Sequence, residues 1–343
     1  MLVIGLLAPL LASQDGFLGI PTPIPYGENQ MDLKNANTVS PFDEQEVKST
    51  YYRHWLGTDE LGRDVLVQLI YGSRTAFTVG FGAMLVAAII GLLIGGLAAY
   101  FGDHKLKAGR LRIRILLLLL ILYLIAIISL IPWDIQSLSP SQKGLHFLSY
   151  NLFFIAVTYG LNHTLKKREE RRKLYQSPIP LDLILSRIIE IMDSMPLFFL
   201  VVAFSALFAP NIFWLSLIIG INAWPTIAKY FRAEVYKLKE TSFVEGAYSM
   251  GFSNWRILFK HILPNAISPV LVTLCFGVAS AILIESALSF LGLGIASEQA
   301  SWGKLLAEAR SNYQAWWLSI FPGLCIFLTV YSLNKLADYW NKN

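Results

Sequence analysis

From Ala76 to Phe101 the chain carries no charged side chain, and six further runs are mostly apolar: roughly Ile115–Pro132, Phe147–Leu161, Leu183–Phe208, Ile212–Tyr230, Ile267–Leu291 and Ala315–Ala337. A helix rising ~1.5 Å per residue needs about 20 such residues to cross ~30 Å of hydrocarbon, and only helices or closed barrels leave no backbone polar group facing lipid. These runs therefore predict an all-α polytopic membrane protein, with Phe147–Leu161 the shortest of the seven. Composition agrees, with 55% apolar and 15% charged residues over 343 positions. The net charge of +5 does not point to nucleic acid, because the lysines and arginines lie in short loops between the spans. In that position they orient a membrane protein.

The sign of each loop tests the count of spans. Placing Gly102–Arg114, Thr164–Leu181, Lys229–Pro264 and the C-terminus inside gives the cytoplasmic regions 19 basic residues against 8 on the other side, with Arg187 inside a span. The C-terminus is thus expected in the cytoplasm. Residues 14–74 form an extracytoplasmic loop with nine acidic and five basic residues between Ser13 and Arg74. Its end, HWLGTDELGRDVLVQLIYGSRTAF, reads as a helix capped by Thr58 or Asp59 and lying at the membrane surface before the 75–101 span. Asp59, Glu60 and Asp64 give only a weak hint of a metal site. Residues 1–13 would reach about 16 Å as a helix and have no basic residue ahead of them, so they read as part of a first span, with a cleaved signal peptide as the alternative. Residues 102–180 form a two-span hairpin flanked by KLKAGRLRIR and KKREERRK, entering and leaving on the same basic side.

Residues 181–343 contain the least membrane-like polar stretch, the loop 234–264. Ser242 and Glu245 have the S-x-x-E spacing of a capping box, and Gly251 suits the left-handed position beyond a helix end. A two-turn helix over Phe243–Met250 is expected, with Phe243, Ala247 and Met250 as an apolar stripe in need of a partner surface. Ser253 is placed to cap a second helix, which Pro264 should end or bend.

Within spans, Arg187, Glu190 and Asp193 follow i, i+3, i+6 spacing and can pair with one another, as a salt bridge or as a gate. Glu285 stands alone near the outward end of its span, suited either to lining a pathway or to bonding between spans. Asn222 with Trp224-Pro225 marks a kinked helix with a polar rescue. Polar groups at such depth are candidate functional sites. Cys275 and Cys325 lie in spans and read as packing residues. The five histidines, His54, His104, His146, His163 and His261, lack metal-ligand spacing, and no framed nucleophile points to catalysis.

The spacing Glu245, Ala247, Gly251, Leu263-Pro264 resembles the EAA signature of membrane subunits of bacterial ABC importers, with Gly246 in place of an alanine and His261 in place of an isoleucine. FKHILPNA, the TDELGRD block, ESALSFLGLG and SWGKLLAEAR are similar to the dipeptide, oligopeptide and nickel branch of that family. The likeness covers most of Arg53–Trp340 outside the hairpin. It implies a permease core of six spans, here with two inserted, in which Phe243, Glu245, Gly246, Ala247, Met250, Gly251, Leu263 and Pro264 belong to a coupling helix and elbow seated on an ATPase subunit. It also implies a homologous sister permease, one or two ATP-binding subunits and an extracytoplasmic solute-binding protein, in the bacterial inner membrane. No G-x-x-x-x-G-K-[ST] loop occurs, so ATP and magnesium would be held by the partner, with no cofactor on this chain. The alternative is a self-contained secondary transporter or channel that no ATPase drives.

Overall fold

The computed structural model describes residues 1–13, 22–103, 107–109, 115, 118–119, 123, 151–152, 154–167, 176–205, 211–296 and 298–342. The chain divides into two compact units, one of residues 1–100 and 185–343, the other of residues 101–184.

In the first unit, short helices α1 (Leu2–Leu6) and α2 (Ala8–Leu11) come first, and residues 22–64 form an irregular, well-bonded segment. The long helix α3 (Val65–Phe101) follows, and later α5 (Leu197–Ser205), α6 (Ile212–Lys239) and α7 (Ser242–Ser249). The helix α8 (Asn254–Phe290), α9 (Trp302–Ser311) and α10 (Trp317–Lys342) complete it. α4 (Leu181–Asp193) runs into this unit from the second. Four helices among the described residues are long and apolar enough to span a bilayer: α3, α6, α8 and α10 up to Trp340.

α8 is the central element and packs against α6, α9 and α10. α3 meets α6 along a seam of small residues. A Cβ added at Gly91 would lie 2.8 Å from the Ile227 Cβ, and one at Gly95 would lie 2.9 Å from the Ala228 carbonyl oxygen. One turn apart, these two glycines let the backbones of α3 and α6 approach more closely than side chains permit.

Several expectations change. The stretch before α3 is a compact turn with no separate surface helix. The Asp59 carboxylate accepts from the Leu61 and Arg63 amides, and the helix cap is Asp64, whose Oδ1 accepts from the Val67 amide at 2.9 Å. α3 then continues unbroken to Phe101. The Leu183–Phe208 run is two helices, interrupted at Ser194–Pro196, where proline restricts the preceding residue and withholds an amide; residues 206–210 lie outside the described residues.

Pro264 does not end its helix. The turn before it, Ile257–Ile262, widens to π geometry, with the Leu263 amide bonded to the Leu258 carbonyl five residues back. A wider turn relieves the clash between a proline ring and the preceding carbonyls, so α8 runs on from Asn254.

The second unit carries the sequence between α3 and α4. Strand β1 (Lys107–Gly109) pairs antiparallel with β2 (Gln176–Pro178), Ala108 opposite Ser177, which joins the two flanks of the inserted segment. Asp103 Oδ1 accepts from the amides of Asp182 and Leu183. Tyr123 donates to Asn151 Oδ1 and stacks on Phe154 at 4.1 Å. Most of Ile115–Pro132, and Phe147–Tyr150 of the following run, lie outside the described residues.

Candidate functional site

Between α6 and α8 the chain leaves the bundle for one short helix. α6 ends with Lys237 and Lys239 in its last turn, where cations favour the carbonyl end. The cap of α7 is Thr241, one residue earlier than the S-x-x-E spacing predicts. Its hydroxyl is drawn back to the Leu238 carbonyl at 2.5 Å and makes no cap bond, so Ser242 is the first helical residue and no capping box forms. The far end follows the sequence. Gly251 stands at φ +76°, with the Phe252 amide on the Ala247 carbonyl and the Gly251 amide on the Tyr248 carbonyl, the double bond of a Schellman stop. Ser253 caps α8 through the Arg256 amide.

Burial divides the expected apolar stripe. Val244 and Ala247 are buried and face the bundle, where α7 packs on α6 and on the π-turn of α8. Phe243 is 43% exposed and Met250 67% exposed, with Gly246 between them on the same face. A Cβ at Gly246 would meet nothing within 4 Å. The outer face is thus two large apolar side chains flanking a bare backbone step, with Glu245 exposed on the adjoining face. Leu263 is half-buried and Pro264 exposed just past the π-turn.

A residue not singled out by sequence holds this helix in place. Tyr100, fully buried in the last turn of α3, accepts from the Tyr248 hydroxyl at 2.8 Å and donates to Asn254 Oδ1 at 3.0 Å. Lys239 donates to the Ala99 carbonyl at 2.9 Å. A tyrosine closing an apolar run is an ordinary interfacial feature, so sequence carries no signal for its partners.

A cleft of about 780 Å³ opens among α3, α4, α5, α6 and α8. Its polar lining includes Asn222, Thr226, Thr273, Ser280 and Asp193, and Met84, Met192 and Met195 lie among its apolar residues. The predicted intramembrane group separates here. Arg187 and Glu190 pair at 2.6 Å on an exposed face, whereas Asp193 turns to Lys229 of α6 at 2.8 Å. Asn222 lines the cleft, and its amide donates to the Ile218 carbonyl rather than to the Ile221 carbonyl that Pro225 leaves without a helical donor. Glu285 is absent from the cleft lining. It is buried and accepts from Ser289 and Ser301 at 2.8 Å each, tying α8 to the cap of α9.

At the opposite end from α7, Asp59 and Asp64 are each engaged. Asp59 Oδ2 takes the Arg63 Nε at 2.5 Å, and Arg63 reaches Glu308 of α9 at 3.0 Å. Burial and the Asp59 charge push the Glu308 carboxyl up to about 7, and burial with Arg63 nearby pushes Lys304 down to about 8. No metal-binding group of three acidic, His or Cys residues occurs among the described residues.

His54 is fully buried, stacked 4.3 Å from Tyr26, with Nδ1 2.7 Å from Asp64 and Nε2 3.4 Å from Asp32. Burial alone would lower its pKa, but the two carboxylates raise it overall. Asp32 is lowered despite burial by its bonds to Asn35 and His54. The raised histidine stabilises the fold below its unfolded pKa of about 6.5, an effect lost as pH climbs through the folded value. The lowered aspartate stabilises above about 3.9, an effect lost as pH falls through its folded value. Amide protection across residues 22–64 is expected to peak between these limits, and His54→Gln to remove the alkaline fall, as hydrogen exchange corrected for intrinsic rate would show. A flat profile in the wild-type chain would contradict the bonded cluster.

Residues 175–343 match the family described as binding-protein-dependent transport system inner membrane component. The chain is 29% identical over 286 residues to a dipeptide transport system permease protein of Alkalihalophilus pseudofirmus, covering 83% of this chain and 69% of the relative. An oligopeptide transport system permease protein of Haemophilus influenzae is also 29% identical over 286 residues, covering 83% and 68%. A glutathione transport system permease protein of Pectobacterium atrosepticum is 27% identical, covering 83% and 70%. With α7 projecting from a bundle of apolar helices and a cleft inside it, residues 175–343 carry the domain of binding-protein-dependent inner-membrane transport components, and the relatives support an ABC importer inner-membrane permease.

Proposed function

We propose that this chain forms one half of a peptide pathway and that α7 is its contact with a separate ATPase. The observation that carries this reading is the outer face of α7. Phe243, Gly246 and Met250 are turned away from the bundle while Val244 and Ala247 anchor the helix from behind. An exposed apolar face on an element outside the spans stabilises a complex when a complementary groove covers it.

The charge bias supports a cytoplasmic α7 and C-terminus, with residues 14–74 outside, in a bacterial inner membrane. ATP and magnesium then belong to one or two partner ATPase subunits, and a homologous sister permease closes the cleft. A solute-binding protein delivers substrate to the extracytoplasmic loop, and lipid surrounds the spans. This chain would carry no catalytic step.

Mechanically, α7 is held between a two-residue turn after α6 and the Gly251 elbow before α8. Because α8 is continuous helix through Pro264 to Thr273 and Ser280 in the cleft wall, movement of α7 would change the lining. ATP-driven closure would bias the bundle between two arrangements by differential contact with α7. The lining, in which Asp193 is paired with Lys229 and the rest is uncharged, has three adaptable methionines and small hydroxyl groups and suits peptides of varied side chain.

The test is uptake of radiolabelled di- and oligopeptides together with co-purification of the ATPase. Glu245→Lys is expected to weaken both at least tenfold with membrane insertion unchanged. A cysteine at Met250 should react with a membrane-impermeant maleimide only in inverted vesicles. Labelling from the outside would overturn the reading, and undiminished uptake without any ATPase would favour a self-contained transporter.

A further inference from the structure

We infer that Tyr100 is a positioning residue that locks the coupling helix to α3, so that motion of α7 is delivered through α3 as well as α8; this rests on the ATPase-contact reading of α7. Three chain segments meet at one phenol. Tyr248 of α7 donates to it, and it donates to Asn254, the first residue of α8, across sequence separations of 148 and 154 residues. Lys239, at the end of α6, is fixed on the neighbouring Ala99 carbonyl. The backbone joints on either side of α7 are otherwise short and compliant: the Glu240–Thr241 turn and an elbow whose glycine sits at positive φ with open space around it. Tyr248 bypasses both joints.

The phenol is fully buried, so losing one partner leaves a polar group that water cannot readily satisfy. The linkage is therefore held from both sides. α3 extends for 37 residues, about 55 Å against ~30 Å of hydrocarbon, and no proline interrupts it. Its far end is capped by Asp64, which also holds His54, and lies beside the Arg63 bridge to Glu308 of α9. A push on α7 is thus carried past the cleft to the outward loop, where the α8 route alone would reach the cleft wall.

Two measurements test this. In the full chain purified alone, Tyr248→Phe should lower amide protection of Phe243–Met250 about fivefold, as loss of one buried hydrogen bond implies, and Tyr100→Phe, which also gives up the bond to Asn254, should lower it at least as much. The double variant should be no worse than Tyr100→Phe, because the bond between the two hydroxyls is already lost there. Unchanged protection, or additive losses, overturns the relay whether or not α7 meets an ATPase.

In the complex with its ATPase subunits, Mg-ATP with vanadate should alter exchange at α7 and at residues 57–74 in the wild-type chain. Tyr100→Phe should keep the ATPase bound and the response at α7 while cutting the outward response at least threefold. A wild-type outward response in that variant, or loss of the ATPase from it, overturns the proposal. Failure of the wild-type chain to bind an ATPase would defeat the contact reading instead, and the exchange cycle on the isolated chain would still decide the hydrogen-bonded linkage.

Discussion

Gly95→Leu is expected to destabilise the bundle by separating α3 from α6. The first added atom would already lie 2.9 Å from the Ala228 carbonyl oxygen and 3.0 Å from its Cα, and both are backbone atoms of a helix that cannot swing aside as a side chain can. The remaining atoms of leucine would then force α3 and α6 apart along a seam that also includes Gly91 on Ile227 and Gly96 on Phe231. Lipid offers no hydrophobic reward for helix association, so close packing supplies much of the adhesion between these helices. Overpacking typically costs 1–3 kcal/mol, and separation of a whole seam should exceed that range, out of a total of about 5–15 kcal/mol. The unfolding midpoint in detergent should fall by roughly 5–10 °C. Gly323→Leu, where an added Cβ meets nothing within 4 Å, should leave it unchanged. Equal midpoints for Gly95→Leu and the wild-type chain would mean that the seam is not the contact described.

Gly246→Trp is expected to have the opposite character, with normal folding and lost function. Gly246 lies on the outer face of α7 with open space beyond it, so the isolated chain has room for an indole. Tryptophan also favours a helix over glycine by a few tenths of a kcal/mol, so α7 itself should not weaken. A groove shaped to Phe243, a bare backbone step and Met250 would, by contrast, be obstructed by a side chain standing between them. Peptide uptake should fall at least tenfold, and ATPase co-purification with it, while the melting profile and the amount in the membrane stay at wild-type levels. Undiminished uptake would remove this face from the docking contact, whereas a lowered melting profile would show that the position is not open. The departure from alanine at this position has a spatial counterpart in the bare step between the two exposed side chains.

The comparison of sequence and structure is clearest in α7. Its existence, length and C-terminal stop at Gly251 follow from local rules, because a left-handed residue after two helical turns is a property of a few adjacent residues. Its exact cap does not. Thr241 and Ser242 are both competent caps, and the choice depended on the Thr241 hydroxyl already being committed to the end of α6. The stripe expected from Phe243, Ala247 and Met250 correctly marked an amphipathic element, but the turn of the helix against the bundle sent Ala247 inward and left Gly246 on the outer face.

The polar residues of the spans show the same division. Spacing brought Arg187 and Glu190 together, an i, i+3 contact that any helix provides. Asp193 found Lys229, 36 residues away, and Arg63 found Glu308, 245 residues away. Glu285 was open to two readings from its position alone, and the serines around it place it between helices and outside the cleft.

Sequence by itself determined that the chain is a helical membrane protein, through the match between helix rise and bilayer thickness, and it determined the family through ordered motif blocks. Those are one-dimensional properties, set by runs and spacings along the chain. Only the tertiary structure decided which face of α7 is bare, which of the intramembrane polar groups line the cleft, and that Tyr100 joins three distant segments. Such partnerships arise when helices far apart in sequence are brought into contact, and no local propensity encodes which side chains will then meet.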